Sequence, residues 1–194
     1  MGADVMADAE LGRFVDRFTV EFVRVFPHPI ERVWRALTEP DELAGWFMSA
    51  TIDLRVGGAY TFEDEPWGLI EALDPPRLVR FGKFMARAGP GAVGENYFQY
   101  LLTPEGGGTR VTFTERWPMG VDYRAAFIRR FGADGDDLPG GPDTPFHIGT
   151  LSGWHDAFDT LRAHLDGVPF TKRWAELHAI YRAHVKATLP REGY

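Results

Sequence analysis

The residues best placed to do chemistry are polar side chains set inside apolar, strand-like runs. Arg24 lies within Val20-Glu21-Phe22-Val23-Arg24-Val25-Phe26. Gln99 lies within Tyr97-Phe98-Gln99-Tyr100-Leu101, Glu71 within Leu69-Ile70-Glu71-Ala72-Leu73, and Glu115 and Arg116 near the end of the run 109–117. Facing an interior, an arginine or glutamine can orient a carbonyl group, and a carboxylate can move a proton on a bound molecule. A buried charge needs a partner, and Arg24 with Glu115 is a conceivable pair. Tyr97 and Gln99 have the same strand parity and so share a face. The alternative is that each of these groups faces solvent on the outer side of a sheet. Parity cannot decide between the two, because one bulge moves every later side chain to the other face. The catalytic candidates are therefore Arg24, Tyr97, Gln99 and Glu115.

Other chemistries are excluded or weak. The chain has no cysteine, which removes disulfides, thiol catalysis, iron–sulfur clusters and thiolate zinc sites. Serine occurs only at Ser49 and Ser152, neither in a nucleophile-elbow motif. The six histidines form no HExxH motif. His155 and Asp156 are adjacent, and adjacent positions on a helix point apart. His155, His164, His178 and His184 read as helix-surface or interface residues, with His147 the one histidine suited to a site mouth. The acidic run Asp134, Asp136, Asp137 lacks the alternating ligands and closing glutamate of a calcium loop. No metal and no cofactor are expected.

Aromatic residues are plentiful at 14%, with 15 Phe, 6 Trp and 6 Tyr. Rings are the usual wall material of small-molecule sites, and equally of ordinary cores. The wall candidates are Trp46, Phe62, Trp67, Tyr97, Trp117, Phe127, Trp154 and Phe158. Gln99 supplies a polar spot beside Tyr97 if their shared face is concave.

These residues need elements to carry them. Residues 17–26 alternate as a strand. Ile30, Val33, Trp34 and Leu37 fall on one helical face, Pro40 opens a second short helix, and then the period becomes two. Strands are expected over 50–56, 59–63, 67–73, 78–84, 95–103 and 109–117, linked as hairpins and hence antiparallel. A Gly-rich loop spans 86–94, a short helix 122–131, and a Gly/Pro/Asp-rich loop 132–145. Residues 151–167 form the strongest helix, with Trp154, Phe158, Leu161 and Leu165 on one side. A last helix over 172–189 carries Trp174, Leu177, Tyr181 and Val185, with Thr171 as its N-cap.

At 194 residues the chain is expected to be one domain able to bury a large core. Its net charge of −7 argues against nucleic acid as a partner. No run is long and apolar enough for a membrane span, and residues 1–10 lack a signal-peptide pattern. A cytoplasmic protein is expected.

The order of elements resembles the START-like, helix-grip or SRPBCC superfamily, which includes the birch pollen allergen and polyketide aromatase/cyclases. The local match resembles its branch named after the activator of the Hsp90 ATPase. The matching residues are Pro29-Ile30-Glu31-Arg32-Val33-Trp34-Arg35-Ala36-Leu37-Thr38-Glu39-Pro40, Leu43 with Trp46-Phe47, and Arg55-Val56-Gly57-Gly58-Ala59-Tyr60. Gly68-Leu69-Ile70-Glu71, Pro75-Pro76-Arg77-Leu78, Thr109-Arg110-Val111-Thr112 and Gly153-Trp154 follow. The resemblance covers about 17–167. It implies an α+β helix-grip fold, with a curved antiparallel sheet of about seven strands around a long C-terminal helix and a hydrophobic cavity between them. Residues 1–16 are then a tail, 118–150 a long loop or lid at the cavity mouth, and 168–194 an additional helix that covers the mouth, docks outside or pairs two subunits as a homodimer.

The function implied is binding of a hydrophobic or polycyclic small molecule, including sequestration or self-resistance of the enediyne type. The alternative is a polyketide aromatase/cyclase. A chaperone-cofactor role is the third reading. Against it, eukaryotic Hsp90 activators carry an additional N-terminal domain, and only 16 residues precede the first expected strand.

Overall fold

The computed structural model describes residues 11–16, 19–83, 96–116 and 146–188, and the backbone alone for Phe146, His147 and residues 185–188. The expected loop 86–94, the helix 122–131, the loop 132–145 and the ring candidates Trp117 and Phe127 lie outside the described residues.

One antiparallel sheet of eight strands carries the fold: β1 (Arg13–Asp16), β2 (Thr19–Phe26), β3 (Ala50–Ile52), β4 (Ala59–Phe62), β5 (Glu65–Asp74), β6 (Leu78–Lys83), β7 (Tyr97–Glu105) and β8 (Gly108–Arg116). Their spatial order is β1-β2-β8-β7-β6-β5-β4-β3. Strands β3 to β8 thus follow one another as hairpins, and β2 closes beside the last of them. Helices α1 (Ile30–Thr38) and α2 (Pro40–Trp46) carry the chain from β2 to the far edge at β3. Helix α3 (Phe146–Asp166) lies on the concave face, and α4 (Trp174–Thr188) packs on α3. This is the helix-grip architecture.

Three expectations change. The sheet has eight strands, because part of the expected tail pairs with β2, Arg13 opposite Glu21 and Phe14 opposite Val20. Strand β3 stops at Ile52. Beyond it the chain curls through a turn in which Gly58 N–H donates to Arg55 O and Gly57 takes φ +79°. A Cβ on Gly58 would lie 2.0 Å from the Asp53 carbonyl oxygen, so only glycine fits there. Helix α3 begins at Phe146 rather than 151, so the last residues of the expected lid segment are helical.

The inner face alternates regularly along β2, β7 and β8. Val20, Phe22, Arg24 and Phe26 of β2 are buried, as are Phe98, Tyr100 and Leu102 of β7 and Val111, Phe113 and Glu115 of β8. From α3, Phe158, Leu161 and Leu165 of the expected stripe are buried against them together with Leu151, while Trp154 is only partly buried. From α1, Val33, Trp34 and Leu37 join the same core.

Helix α3 is also buried on its other side. Ser152, His155 and Asp156 are almost fully enclosed; α4 reaches His155 through Tyr181, and Arg173 just before it reaches Asp156. Leu177 and Tyr181 of α4 are completely buried. Of the apolar stripe on this helix, Leu177 and Tyr181 are therefore turned onto their own domain. Tyr181 is the centre of this joint. Its hydroxyl accepts from the backbone N–H of Gly12 at 2.7 Å and lies 2.8 Å from His155 Nδ1. Burial, then the nearby Arg24 guanidinium, push the His155 imidazole down to about 4.

Two outcomes are expected. Tyr181→Phe leaves the buried Gly12 N–H and His155 Nδ1 without this partner, and urea unfolding should show a loss of about 1–3 kcal/mol. Between pH 6.5 and about 4 the unfolded chain binds a proton that folded His155 refuses. That stability contribution is complete above pH 6.5 and falls as the pH drops. His155→Gln should flatten this part of the pH–stability curve, whatever it does to absolute stability.

Candidate functional site

The inner face carries one charged cluster at the end of the sheet where Lys83, Asn96 and Arg116 lie. Lys83 Nζ donates to Glu115 Oε1 at 2.5 Å, and Trp154 Nε1 donates to Glu115 Oε2 at 2.6 Å. One carboxylate thus ties β6, β8 and α3 together. The two charged side chains are only 11% and 10% exposed. Asn96 stands directly before β7 and opposite Lys83. Lys83 N–H donates to Asn96 O at 2.7 Å, and Asn96 Nδ2 donates to Lys83 O at 3.2 Å. By alternation with Phe98 and Tyr100 it faces inward, and it is 5% exposed.

Around this cluster runs a continuous set of rings. Trp154 stacks on Phe47, with centroids 5.6 Å apart and planes 13° off parallel. Phe47 meets Phe62 edge-on at 5.3 Å, and Phe62 meets Trp67 at 5.2 Å. Trp154 also lies 4.2 Å from Phe113 and 5.8 Å from Phe98. Phe47, Trp67 and Trp154 are only partly buried, as is Met48. They form a half-open aromatic rim above a closed aromatic floor.

Local devices hold the rim. Between β4 and β5 the pairing slips, with Tyr60 opposite Gly68 but Thr61 opposite Pro66. Trp67 is the extra residue of that bulge, which lets its ring reach Phe62. Phe47 follows α2, and α2 is pinned to α1 and α3 through Glu42, which accepts from Arg32 at 2.9 Å and lies 2.6 Å from His164 Nε2. Burial alone would raise the Glu42 carboxyl. The hydrogen bonds from His164 and Arg32 outweigh it and hold the group below the usual carboxylate range.

The sequence candidates separate into those at this site and those away from it. Glu115, Phe62, Trp67 and Trp154 meet here. Phe158 lies deeper along α3, 1% exposed between Phe22 and Phe113, as core. Trp46 is core as well. It is 5% exposed, its indole N–H donates to Ala36 O at 2.8 Å, and it backs Phe47. Tyr97 and Gln99 do share a face, but it is the outer one. Gln99 Oε1 accepts from Arg80 Nε at 2.9 Å, and the same guanidinium stands 4.3 Å over the Tyr97 ring. Arg116 also points outward, to Asp16 and Thr19.

Arg24 does face the interior, yet it does not reach Glu115. The register sets Glu115 opposite Val20 and Arg24 opposite Val111, roughly 13 Å along the strands at about 3.3 Å per residue. Arg24 instead stands over the Phe22 and Phe158 rings at 5.5 and 5.8 Å. Sequence reasoning passed over Lys83, Asn96 and Phe47. Two had a weak signal, since Lys83 is one of only three lysines and Asn96 directly precedes the run that holds Gln99. Burial also keeps the Tyr60 and Tyr100 phenols protonated by raising them far above their ordinary range. Among the described residues no group of three acidic, histidine or cysteine side chains could hold a metal ion, and no helix is long and apolar enough to cross a membrane.

A domain of this architecture, gripping a helix over a ring-lined inner face, belongs to the START-like class. The model of the family described as activator of Hsp90 ATPase homolog 1-like protein matches residues 27–166, and the chain belongs to that family. Helix α4 lies beyond the match. Among solved structures the chain is similar to CalU16 from Micromonospora echinospora (19% identity, TM-score 0.60, covering 87% of this chain and 86% of that one). It is also similar to EF2215 of Enterococcus faecalis, a conserved protein of unknown function (15% identity, TM-score 0.63, 92% and 91%). A third is MLL2253 of Mesorhizobium loti (22% identity, TM-score 0.55, 78% and 99%). A comparison with curated proteins finds no match.

Glu115→Gln should take the Glu115 counter-charge away from the buried Lys83 ammonium. An unfolding midpoint corresponding to a loss of about 3–5 kcal/mol is expected, together with a shift of tryptophan emission as the Trp154 hydrogen bond weakens.

Proposed function

We propose that the protein binds a hydrophobic, ring-bearing small molecule against the Phe47/Trp67/Trp154 rim, which the buried Phe62 ring backs, over the Lys83–Glu115 pair. The observation that carries the reading is the rim itself. Large rings left partly exposed in one contiguous set, beside polar groups that converge on one point, are the usual make-up of a small-molecule site. The fold of the family is compatible with it, since a sheet gripping one helix offers an interior between the two.

Binding without transformation is the form we favour. Of the four candidates for catalysis, Tyr97 and Gln99 are on the outer face and Arg24 is at the other end of β2. Only Glu115 remains at the site, and both its oxygens are already engaged, by Lys83 and by Trp154. A carboxylate so held orients its neighbours better than it moves protons. Sequestration of a polycyclic natural product, with self-resistance of the enediyne type, is the finer version of this reading. A chaperone-cofactor role has only the family's name behind it.

The test is thermal-shift measurement against polycyclic aromatics, polyketides, enediynes and fatty acids, with intact masses of ligand and protein taken for each hit. A ligand that binds the native state raises the melting temperature by mass action. Stabilisation with both masses unchanged is the expected result. Trp154→Leu, which keeps an apolar side chain at the seam, should weaken binding by about tenfold or more, since one aromatic contact beyond simple burial is worth about 0.5–1.5 kcal/mol and the Glu115 hydrogen bond is lost with it. A changed ligand mass would establish an aromatase/cyclase-type enzyme instead, and a cleaved chain would establish sacrificial resistance. No stabilisation by any compound would overturn the binding reading.

A further inference from the structure

The inference rests on the binding reading and concerns which ligand chemistry the site accepts. Asn96 is the informative residue. Its amide nitrogen is committed to the Lys83 carbonyl at 3.2 Å, which fixes the orientation of the amide. The carbonyl oxygen, Oδ1, then points away from that bond. It is fully buried and has no hydrogen-bond partner among the described residues, and the residue as a whole is 5% exposed. A buried acceptor left unpaired is uncommon in native proteins, because it gives up water and receives nothing in return.

Its surroundings narrow what can complete it. Lys83 is directly across the β6–β7 ladder, and Glu115 is opposite Phe98, the next inward residue of β7. Trp154 reaches the same carboxylate from α3. An anionic carboxylate head would bring only acceptors to a place that already holds Oδ1 and the Glu115 carboxylate. An ammonium head would meet the Lys83 ammonium. A hydrocarbon would leave Oδ1 unpaired. A neutral hydroxyl on an aromatic ring fits all the constraints. Its proton can go to Asn96 Oδ1, the Lys83 ammonium nearby favours the partial negative charge on a phenolic oxygen, and the ring lies among Phe47, Trp67 and Trp154.

We propose that the site selects aromatic ligands carrying a phenolic hydroxyl, donated to Asn96 Oδ1, over their ethers and carboxylates. The proposal makes Asn96 a specificity-determining residue of the binding site and involves no covalent step.

The experiment is calorimetric titration of the full chain with three probes that share one ring system: 2-naphthol, 2-methoxynaphthalene and 2-naphthoate, at pH 7. The expected order is naphthol tightest, by about tenfold or more over the ether, as befits a buried acceptor paired in one complex and not in the other. Naphthoate should be weakest. Asn96→Leu removes the acceptor at similar volume and should bring naphthol and its ether to within about twofold. Equal affinity of the wild-type protein for naphthol and its ether would overturn the proposal while leaving the binding reading intact, and this comparison needs no variant to fold. A naphthol preference that survives in Asn96→Leu would also overturn it. Binding of none of the three, with no stabilisation across the wider panel, would remove the binding reading and this inference together.

Discussion

The concave face of the sheet is so densely lined with rings that it cannot stay in water, and α3 is the element that covers it. Phe22, Phe98, Tyr100 and Phe113 project from three neighbouring strands toward one helix. Phe158 fills the gap at its middle, and Trp154 reaches the end. Nearly everything else depends on this contact. The hairpin succession from β3 to β8 exists to wrap the helix, and β2 completes the grip beside β8. The edge at β3 is where α1 and α2 return the chain to the core.

The seam between sheet and helix is apolar along most of its length and polar at its two ends. At one end Glu115 joins Lys83 and Trp154. At the other, Arg24 lies among the Phe22 and Phe158 rings, close to the joint that His155 and Tyr181 make with Gly12. These polar groups solve different problems. The His155–Tyr181–Gly12 chain is fully enclosed and closes the attachment of α4 and β1, so it reads as construction. The Lys83–Asn96–Glu115 group borders partly exposed rings and contains an acceptor, Asn96 Oδ1, with no partner among the described residues. Burial with complete pairing marks a strut, and burial beside an open rim with incomplete pairing marks a place for something else.

Helix α4 shows how an addition outside the family match becomes part of the domain. It packs on the back of α3, where Tyr181 meets the buried His155. Arg173 contributes to the same joint. Its backbone N–H donates to Asp156 Oδ1 at 2.7 Å and its guanidinium to Asp159 at 2.8 Å. With both sides of α3 enclosed, the helix is held in register against the sheet, and so is the position of Trp154 at the rim.

Period and punctuation were enough to read most of the described elements from the sequence, though not β1. Val33, Trp34 and Leu37 had to form one helical face, Pro40 had to start a new helix, and the β-period runs between turns had to pair as hairpins, because these are local properties of the backbone. The stripe Phe158, Leu161 and Leu165 likewise declared its need for a partner. What the sequence could not contain was the handing of side chains to one face or the other. Tyr97 and Gln99 share a face, as their parity requires, but which face it is depends on how β7 sits between β6 and β8, and that turns them outward. Trp67 reached the inner rim through a bulge that no parity rule contains. Glu115 was recognised as a group needing a partner, but that partner came from β6, a strand 32 residues earlier, and not from Arg24. Pairings of this kind are set by register across the sheet and by the packing of α3 upon it, and both exist only once the chain has folded.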